Sequence, residues 1–315
     1  MLDPNFPSSL KAFIATFGTE EACRDYLFKQ KWPSGFVCAR CGLNVAWEYK
    51  KRELWVCIGC QHQHSLRAGT LFAGSKKPLT EWFYAIWLVT TSKRGISAKE
   101  LQRQLGFGSY QTAWSWLHKI RKILVVADRT KLQKDVEVDE AYVGAARSGK
   151  RGRGAGNKKI VVCAVENLGG RGACGRIRLG VVTRADRKTL VGFVKNNVED
   201  GAIVVTDKWP AYRSLASDGY HHIAIECVGA DAVRYLPRAH RIFSLMRRWL
   251  LGTHHGAVRQ KHLQSYLEEF TFRFNRRKAK NFGHGFQRVL EQACGKPCLP
   301  YWRLVGRLAP KAALV

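Results

Sequence analysis

Two groups of residues in this chain have the types and spacing to do chemistry. The first is a set of cysteines, Cys38-Ala-Arg-Cys41 and Cys57-Ile-Gly-Cys60, with fifteen residues between the pairs. Thiolates at C-x-x-C spacing converge at about 2.3 Å on one tetrahedral Zn²⁺. Four of them leave no open position, so one structural Zn²⁺ is expected. His62 and His64 follow closely and could replace a Cys, but read more simply as solvated loop residues. The second group is acidic. Asp135-Val-Glu-Val-Asp-Glu-Ala-Tyr-Val143 alternates apolar and acidic residues as a β-strand does. Asp207 ends another apolar run, Ala202-Ile-Val-Val-Thr-Asp. Asp139 and Asp207 on two strands at a sheet edge would hold divalent metal.

Hard Mg²⁺ or Mn²⁺ prefers carboxylate oxygen. Two such ions, about 3.5–4 Å apart, activate an attacking oxygen and stabilise a leaving one in phosphodiester transfer. A third ligand is needed from a later helix. Residues 236–252 contain no acid, and their one ligand of suitable type is His240. Imidazole suits Mn²⁺ better than Mg²⁺. The other reading of His240 is a phosphate or solvent contact. The nearest acids are Asp231 before it and Glu268 and Glu269 after it.

Charge says what those carboxylates would act on. Lys and Arg number 53 against 24 Asp and Glu, a net charge of +29 in 315 residues. Such an excess suits a phosphate backbone and binds it through counterion release. Ten Trp and ten Tyr point to folded domains and away from a merely basic tail. No run of apolar residues is long enough to span a membrane, and the N-terminal stretch lacks the pattern of a signal peptide. A cytoplasmic, reducing location is expected, where paired Cys suggest metal before disulfide.

Several elements must position these groups. One or two short helices are predicted over residues 8–30, followed by hairpin strands at 47–50 and 54–57. Leu79 to Val89 reads as an apolar helix. Ser97 with Glu100 forms a capping box, Gly106 to Gly108 a turn, and Ser109 starts a helix with Ala113, Leu117 and Ile120 inward. This is either a plain helical hairpin or a helix-turn-helix. The basic residues Lys119, Arg121 and Lys122 favour the second, with Ser109, Tyr110, Gln111 and Thr112 facing a DNA groove. Residues 144–159 form a Gly/Arg loop, whose Arg151 and Arg153 are candidate phosphate contacts. Strands at 159–166 and 175–182, a helix from Asp186 and a strand ending at Asp207 follow. Three strands, a helix, a strand with an acid at its tip, then helices is the order of an RNase H-like fold. Arg247, Arg248, Arg276 and Arg277 on the last helices extend the basic surface. The expected class is α/β: an RNase H-like mixed sheet with flanking helices, after a small zinc ribbon and an all-α helix-turn-helix region. The boundaries expected are 1–75, 76–130, 131–285 and a tail at 286–315.

Near end to end, the chain resembles bacterial insertion-sequence transposases of the zinc-ribbon, DDE-type, ISXO-like group. The residues carrying this are the two C-x-x-C pairs, Ala68-Gly-Thr-Leu-Phe, Lys93-Arg-Gly-Ile-Ser-Ala, Val136 to Gly144, Val205-Thr-Asp-Lys-Trp-Pro-Ala-Tyr212, Arg248 to Val258, and Tyr266 to Arg277. The resemblance implies metal-dependent cleavage at transposon ends and strand transfer by 3′-hydroxyl attack. Asp139 and Asp207 would be the first two metal ligands. Double-stranded DNA, both terminal repeats and target, is the implied partner, bound by a homodimer or larger assembly. The third residue of such families is usually Glu, or Asn in some groups. The Asn-like position falls near Leu245 here and a following Lys is replaced near Arg247, which leaves His240 as the best substitute. The rival expectation is a catalytically decayed, zinc-dependent DNA-binding protein.

Overall fold

The computed structural model describes residues 3, 6–125, 129–144, 159–170, 173–226, 235–256 and 258–306. The chain folds as two compact units, Met1–Leu124 with Ala279–Val315, and Val125–Lys278.

In the first unit, Ser9 and Thr19 start α1 (Leu10–Phe17) and α2 (Glu20–Lys31) by accepting from Ala12 N and Ala22 N, each at 3.2 Å. Such caps satisfy amides that the first turn leaves orphaned. An antiparallel sheet follows, β1 (Ala46–Tyr49), β2 (Leu54–Cys57) and β3 (Gln63–Ser65). Then come α3 (Leu79–Thr91), α4 (Ala98–Gln104) and α5 (Tyr110–Ile123). Ser97 Oγ accepts from Glu100 N at 3.1 Å, and Gly106 turns the chain at φ +62°, a conformation open to Gly without a Cβ clash. Trp82 of α3 stacks on Trp116 of α5 at 3.5 Å.

The C-terminal segment does not follow the expected boundaries. The helix Gly283–Gly295, α9 in chain order, belongs to the first unit, so neither 131–285 nor a separate tail describes it. The cause is its apolar face. Phe286, Val289, Leu290 and Ala293 are all fully buried. The Phe286 ring meets Phe6, Phe13, Phe17 and Trp87 at 5.2–5.9 Å. A stripe that apolar must be covered, and α3 supplies the cover.

The second unit is a five-stranded sheet of order β6-β5-β4-β7-β8. β4 (Asp135–Val143), β5 (Lys159–Asn167) and β6 (Cys174–Val182) form an antiparallel meander. Helix α6 (Arg187–Asn197) then crosses over, so β7 (Ile203–Asp207) returns parallel to β4, and β8 (His221–Ile225) lies parallel to β7. This is the RNase H-like arrangement. β8 is absent from the sequence expectation because its residues are mostly exposed and give no buried pattern. One face of the sheet packs Val136, Val138, Val162 and Ala164 against α6 and Tyr212. The other packs Val161, Cys163, Val165, Ile177 and Leu179 against α7 (Pro237–His254) and α8 (Leu263–Asn275). Helix α8 also closes the β6 edge. Its Gln264 and Asn275 accept from Val181 N and Ile177 N, each at 2.8 Å, which pairs amides that an edge strand would otherwise leave open.

Candidate active site and metal centre

The zinc ribbon gathers its four thiols as their spacing requires. The Sγ atoms of Cys38, Cys41, Cys57 and Cys60 lie within 4.8 Å of one another, with Cys38–Cys60 and Cys41–Cys57 each at 3.5 Å. Tetrahedral Zn–S bonds of about 2.3 Å would set the sulfurs roughly 3.8 Å apart, so the cluster fits one Zn²⁺. Each knuckle turns after its second cysteine on a positive φ, Gly42 at +76° and Gln61 at +58°. The turn closes through Gly42 N to Cys38 O at 2.9 Å and Gln61 N to Cys57 O at 3.0 Å. His64 is buried and sets Nε2 3.3 Å from Cys38 Sγ, which corrects the expectation of a solvated loop residue. Burial works to raise the Cys38 pKa, but hydrogen bonds from His64, from the Cys41 and Arg40 backbone and from Cys60 bring it down to about 5. These hydrogen bonds favour the Cys38 thiolate, the form that binds metal. The signal for His64 in the sequence is faint: it faces Trp55 across β2 and β3, between the rings of Phe36 and His62.

In the second unit, β4 keeps its alternation through Asp139. Glu137, Asp139 and Ala141 face α7 and α8, whereas Val136 and Val138 face α6 and Glu140 reaches Tyr212. Asp139 and Asp207 lie on neighbouring parallel strands, each two residues beyond the last paired residues, Glu137 and Val205. Asp139 Oδ1 accepts from Glu140 N at 2.8 Å, and Asp207 Oδ1 from Trp209 N at 3.1 Å. The Tyr212 hydroxyl donates to Glu140 Oε2 at 2.9 Å. Burial and the Glu140 charge push the Tyr212 pKa far up, so it stays a donor.

His240, on the first turn of α7, brings Nε2 to 3.6 Å from Asp139 Oδ2. Burial lowers its pKa and the Arg247 charge lowers it further, against Glu137, so at neutral pH the imidazole is neutral with a lone pair to offer. Two ligands about 2.1 Å from one octahedral ion stand roughly 3 Å apart, so this pair fits a shared divalent cation with little movement. Among the described residues, the four cysteines alone form a metal-ready group of three or more ligands. Asp139, Asp207 and His240 are not gathered that tightly. Leu245 packs against the core of the α7 face and offers no donor.

The expected DNA contacts fall into four groups. Ser109, Tyr110 and Gln111 are exposed and Thr112 half-buried at the start of α5, although Ser109 Oγ is also the cap that accepts from Gln111 N at 3.2 Å. Arg121 is corrected: it is fully buried beside His118, so it forms no part of a basic surface. Arg247 and Arg248 are exposed on α7, with Arg247 Nη2 3.4 Å from Tyr142 O. Arg276 lies over the Phe272 ring at 4.0 Å. Arg277 donates to the carbonyls of Phe274, Gly175 and Cys174, so it clamps α8 to β6. Arg151 and Arg153 lie outside the described residues. No helix among the described residues is long and apolar enough to cross a membrane.

Comparison with known proteins agrees with both units. Residues 131–275 match the ISXO2-like transposase domain, and residues 18–63 the transposase zinc-ribbon domain. An "uncharacterized protein in transposable element ISH50" of Halobacterium salinarum is 26% identical over 290 residues, covering 82% of this chain and 92% of its own. Among solved structures, the Mos1 strand transfer complex matches at 12% identity and a TM-score of 0.28, covering 68% of this chain and 76% of that one. A simian T-cell lymphotropic virus intasome complex matches at 11% and 0.30, covering 54% and 67%. With its four-cysteine ribbon and its mixed five-stranded sheet in matching order, the chain carries a transposase zinc-ribbon domain followed by an ISXO2-like transposase domain.

Proposed function

We propose that this protein is an active DNA transposase that cleaves at the ends of its element and joins the freed 3′-hydroxyl to target DNA. The observation that carries this is the placement of Asp139 and Asp207 at matching positions of two parallel strands, with the neutral His240 imidazole 3.6 Å from the first. Asp139, Asp207 and His240 would hold divalent metal, Mg²⁺ or Mn²⁺ and two ions in the full site. Divalent metal held there would lower the pKa of an attacking hydroxyl or water and offset charge on the leaving oxygen. In the first step water oxygen bonds to phosphorus and the bond to the 3′-oxygen breaks, with a proton passing to that oxygen. In the second, the 3′-oxygen bonds to a target phosphorus and a target 3′-oxygen leaves.

The other residues bind and orient. Tyr212 holds Glu140 on the opposite face of β4, which keeps that carboxylate away from the DNA phosphate. Exposed Arg247 and Arg248, with the start of α5, supply backbone and groove contacts. The zinc ribbon and helix-turn-helix read the terminal repeats. Two ends must meet in space, so a dimer or larger assembly forms on DNA.

A second reading has one observation in its favour. Leu245, near the position that the family resemblance gives to a polar third ligand, packs against the core, as in a decayed copy that binds DNA without cutting it. Strand transfer on linear DNA carrying the element's ends, with Mg²⁺ or Mn²⁺, separates the two. Joined product from wild type, lost in Asp139→Asn, Asp207→Asn and His240→Ala, supports the transposase. Product surviving His240→Ala alone moves the third ligand elsewhere. End binding without product establishes the decayed reading.

A further inference from the structure

Helix α7 has no cap of its own. Leu236 occupies the N-cap, Pro237 the first turn, and no cap side chain accepts from its leading amides. The acceptor comes from the strand beneath. Glu137 Oε2 accepts from Arg238 N at 2.8 Å and from Ala239 N at 3.1 Å, while Oε1 accepts from Arg238 Nη1 at 2.7 Å. The remaining donors of Arg238 go to Ala173 O at 3.2 Å and Gly170 O at 2.9 Å, in the β5–β6 turn. The side chains of Glu137 and Arg238 are only 6% and 12% exposed. A carboxylate at a helix N-terminus is favoured by the aligned peptide dipoles, and its hydrogen bonds are strengthened by its charge.

The spacing links this node to the site. Glu137 and Asp139 are two residues apart on one face of β4, and His240 follows the clamped pair Arg238 and Ala239 directly. One buried carboxylate thus sets where α7 meets the strand, and with it the 3.6 Å between His240 and Asp139. We propose that Glu137 is a positioning residue, fixing α7 on β4 so that His240 stands at Asp139 as the third donor to divalent metal. This rests on the role given to His240 above. Both oxygens of Glu137 are taken by α7, so it acts through the helix.

Mn²⁺ binding by the zinc-loaded full chain tests this, read from the free-ion electron paramagnetic resonance signal. Removing Glu137 alone would strand the buried Arg238 charge, so the main variant is Glu137→Leu with Arg238→Met. Buried ion pairs tolerate such apolar replacement. Zinc content and thermal unfolding establish that it folds. Lost outer-shell support typically weakens metal binding by 10–100-fold, so roughly a tenfold or greater loss of Mn²⁺ affinity is expected. Adding His240→Ala should then change nothing further, and Glu137→Gln with Arg238→Met, which keeps one acceptor oxygen, should recover most of the affinity. Should Glu137→Leu with Arg238→Met not fold, Glu137→Ala with Arg238→Met carries the test, with the same expected loss and the same non-additivity. Full affinity in the paired variants, with His240→Ala weakening wild type, overturns the role of Glu137 alone. Losses that add overturn positioning in favour of general damage. An unchanged His240→Ala protein overturns both this inference and the ligand role of His240.

Discussion

Replacing Phe286 by Ala tests whether the C-terminal helix is part of the zinc-ribbon unit. The ring is fully buried and touches four other aromatic rings contributed by residues 6, 13, 17 and 87. Truncation removes the ring's transfer free energy and leaves a cavity that rigid aromatic neighbours cannot close, about 3–5 kcal/mol for Phe→Ala. For a unit of roughly 150–250 residues, each kcal/mol moves Tm by about 2–4 °C, so the transition should fall by roughly 6–20 °C. Scanning calorimetry combined with a colorimetric zinc chelator assigns the transition, because only this unit holds the four-cysteine cluster. The transition of the sheet unit should stay where it is. A stop codon after Lys278 should abolish folding of the zinc-ribbon unit altogether. If Phe286→Ala moved the zinc-releasing transition by less than the equivalent of about 1 kcal/mol, or if the truncated chain kept its zinc, the assignment of α9 would be refuted.

His64→Ala should speed zinc release to a chelator and weaken zinc affinity by roughly tenfold, since the imidazole 3.3 Å from Cys38 supports the thiolate; unchanged release would remove that role. Tyr212→Phe leaves Glu140 Oε2 without its buried donor and should destabilise the sheet unit by about 1.5–3 kcal/mol in urea unfolding; a neutral result would show that the bond contributes nothing net. Acid should weaken the same unit through Glu166. Burial works to raise its pKa, but hydrogen bonds from Arg176, from the Arg176 and Gln133 amides, and the Arg176 charge hold it below the ordinary 4.5. A depressed carboxylate contributes stability that is present above its unfolded pKa and lost as pH falls through its folded one. Stability of Glu166→Gln should therefore depend less on pH below about 4.5 than that of wild type, measured by urea midpoints; parallel curves would contradict this.

Local pattern made much of this protein legible. The cysteine spacing alone specifies a tetrahedral cluster, because two tight knuckles leave thiolates little else to converge on. The caps at Ser97 and Ser109 are legible for a similar reason: a hydroxyl that accepts a helix amide two or three residues on is a purely local event. Strands β5 to β7 declare themselves by apolar runs, and β4 by its alternation of apolar and acidic residues. Strand β8 does not, because its exposed residues carry no buried pattern.

The sequence by itself determined the four-cysteine cluster, the basic character, most of the order of strands and helices and the two aspartates on their strands. Each of these depends on neighbours in the chain or on summed charge. Tertiary structure alone decided which face Asp139 takes, since only packing of Val136 and Val138 against α6 turns the alternate residues toward α7. It also buried Arg121 and His64, which composition reads as surface groups, and carried residues 283–295 back to the first unit. The clamp of Glu137 on Arg238 joins residues about a hundred positions apart, a distance at which no spacing rule operates. Burial and long-range pairing belong to the whole fold, because they are set by which surfaces exclude water together.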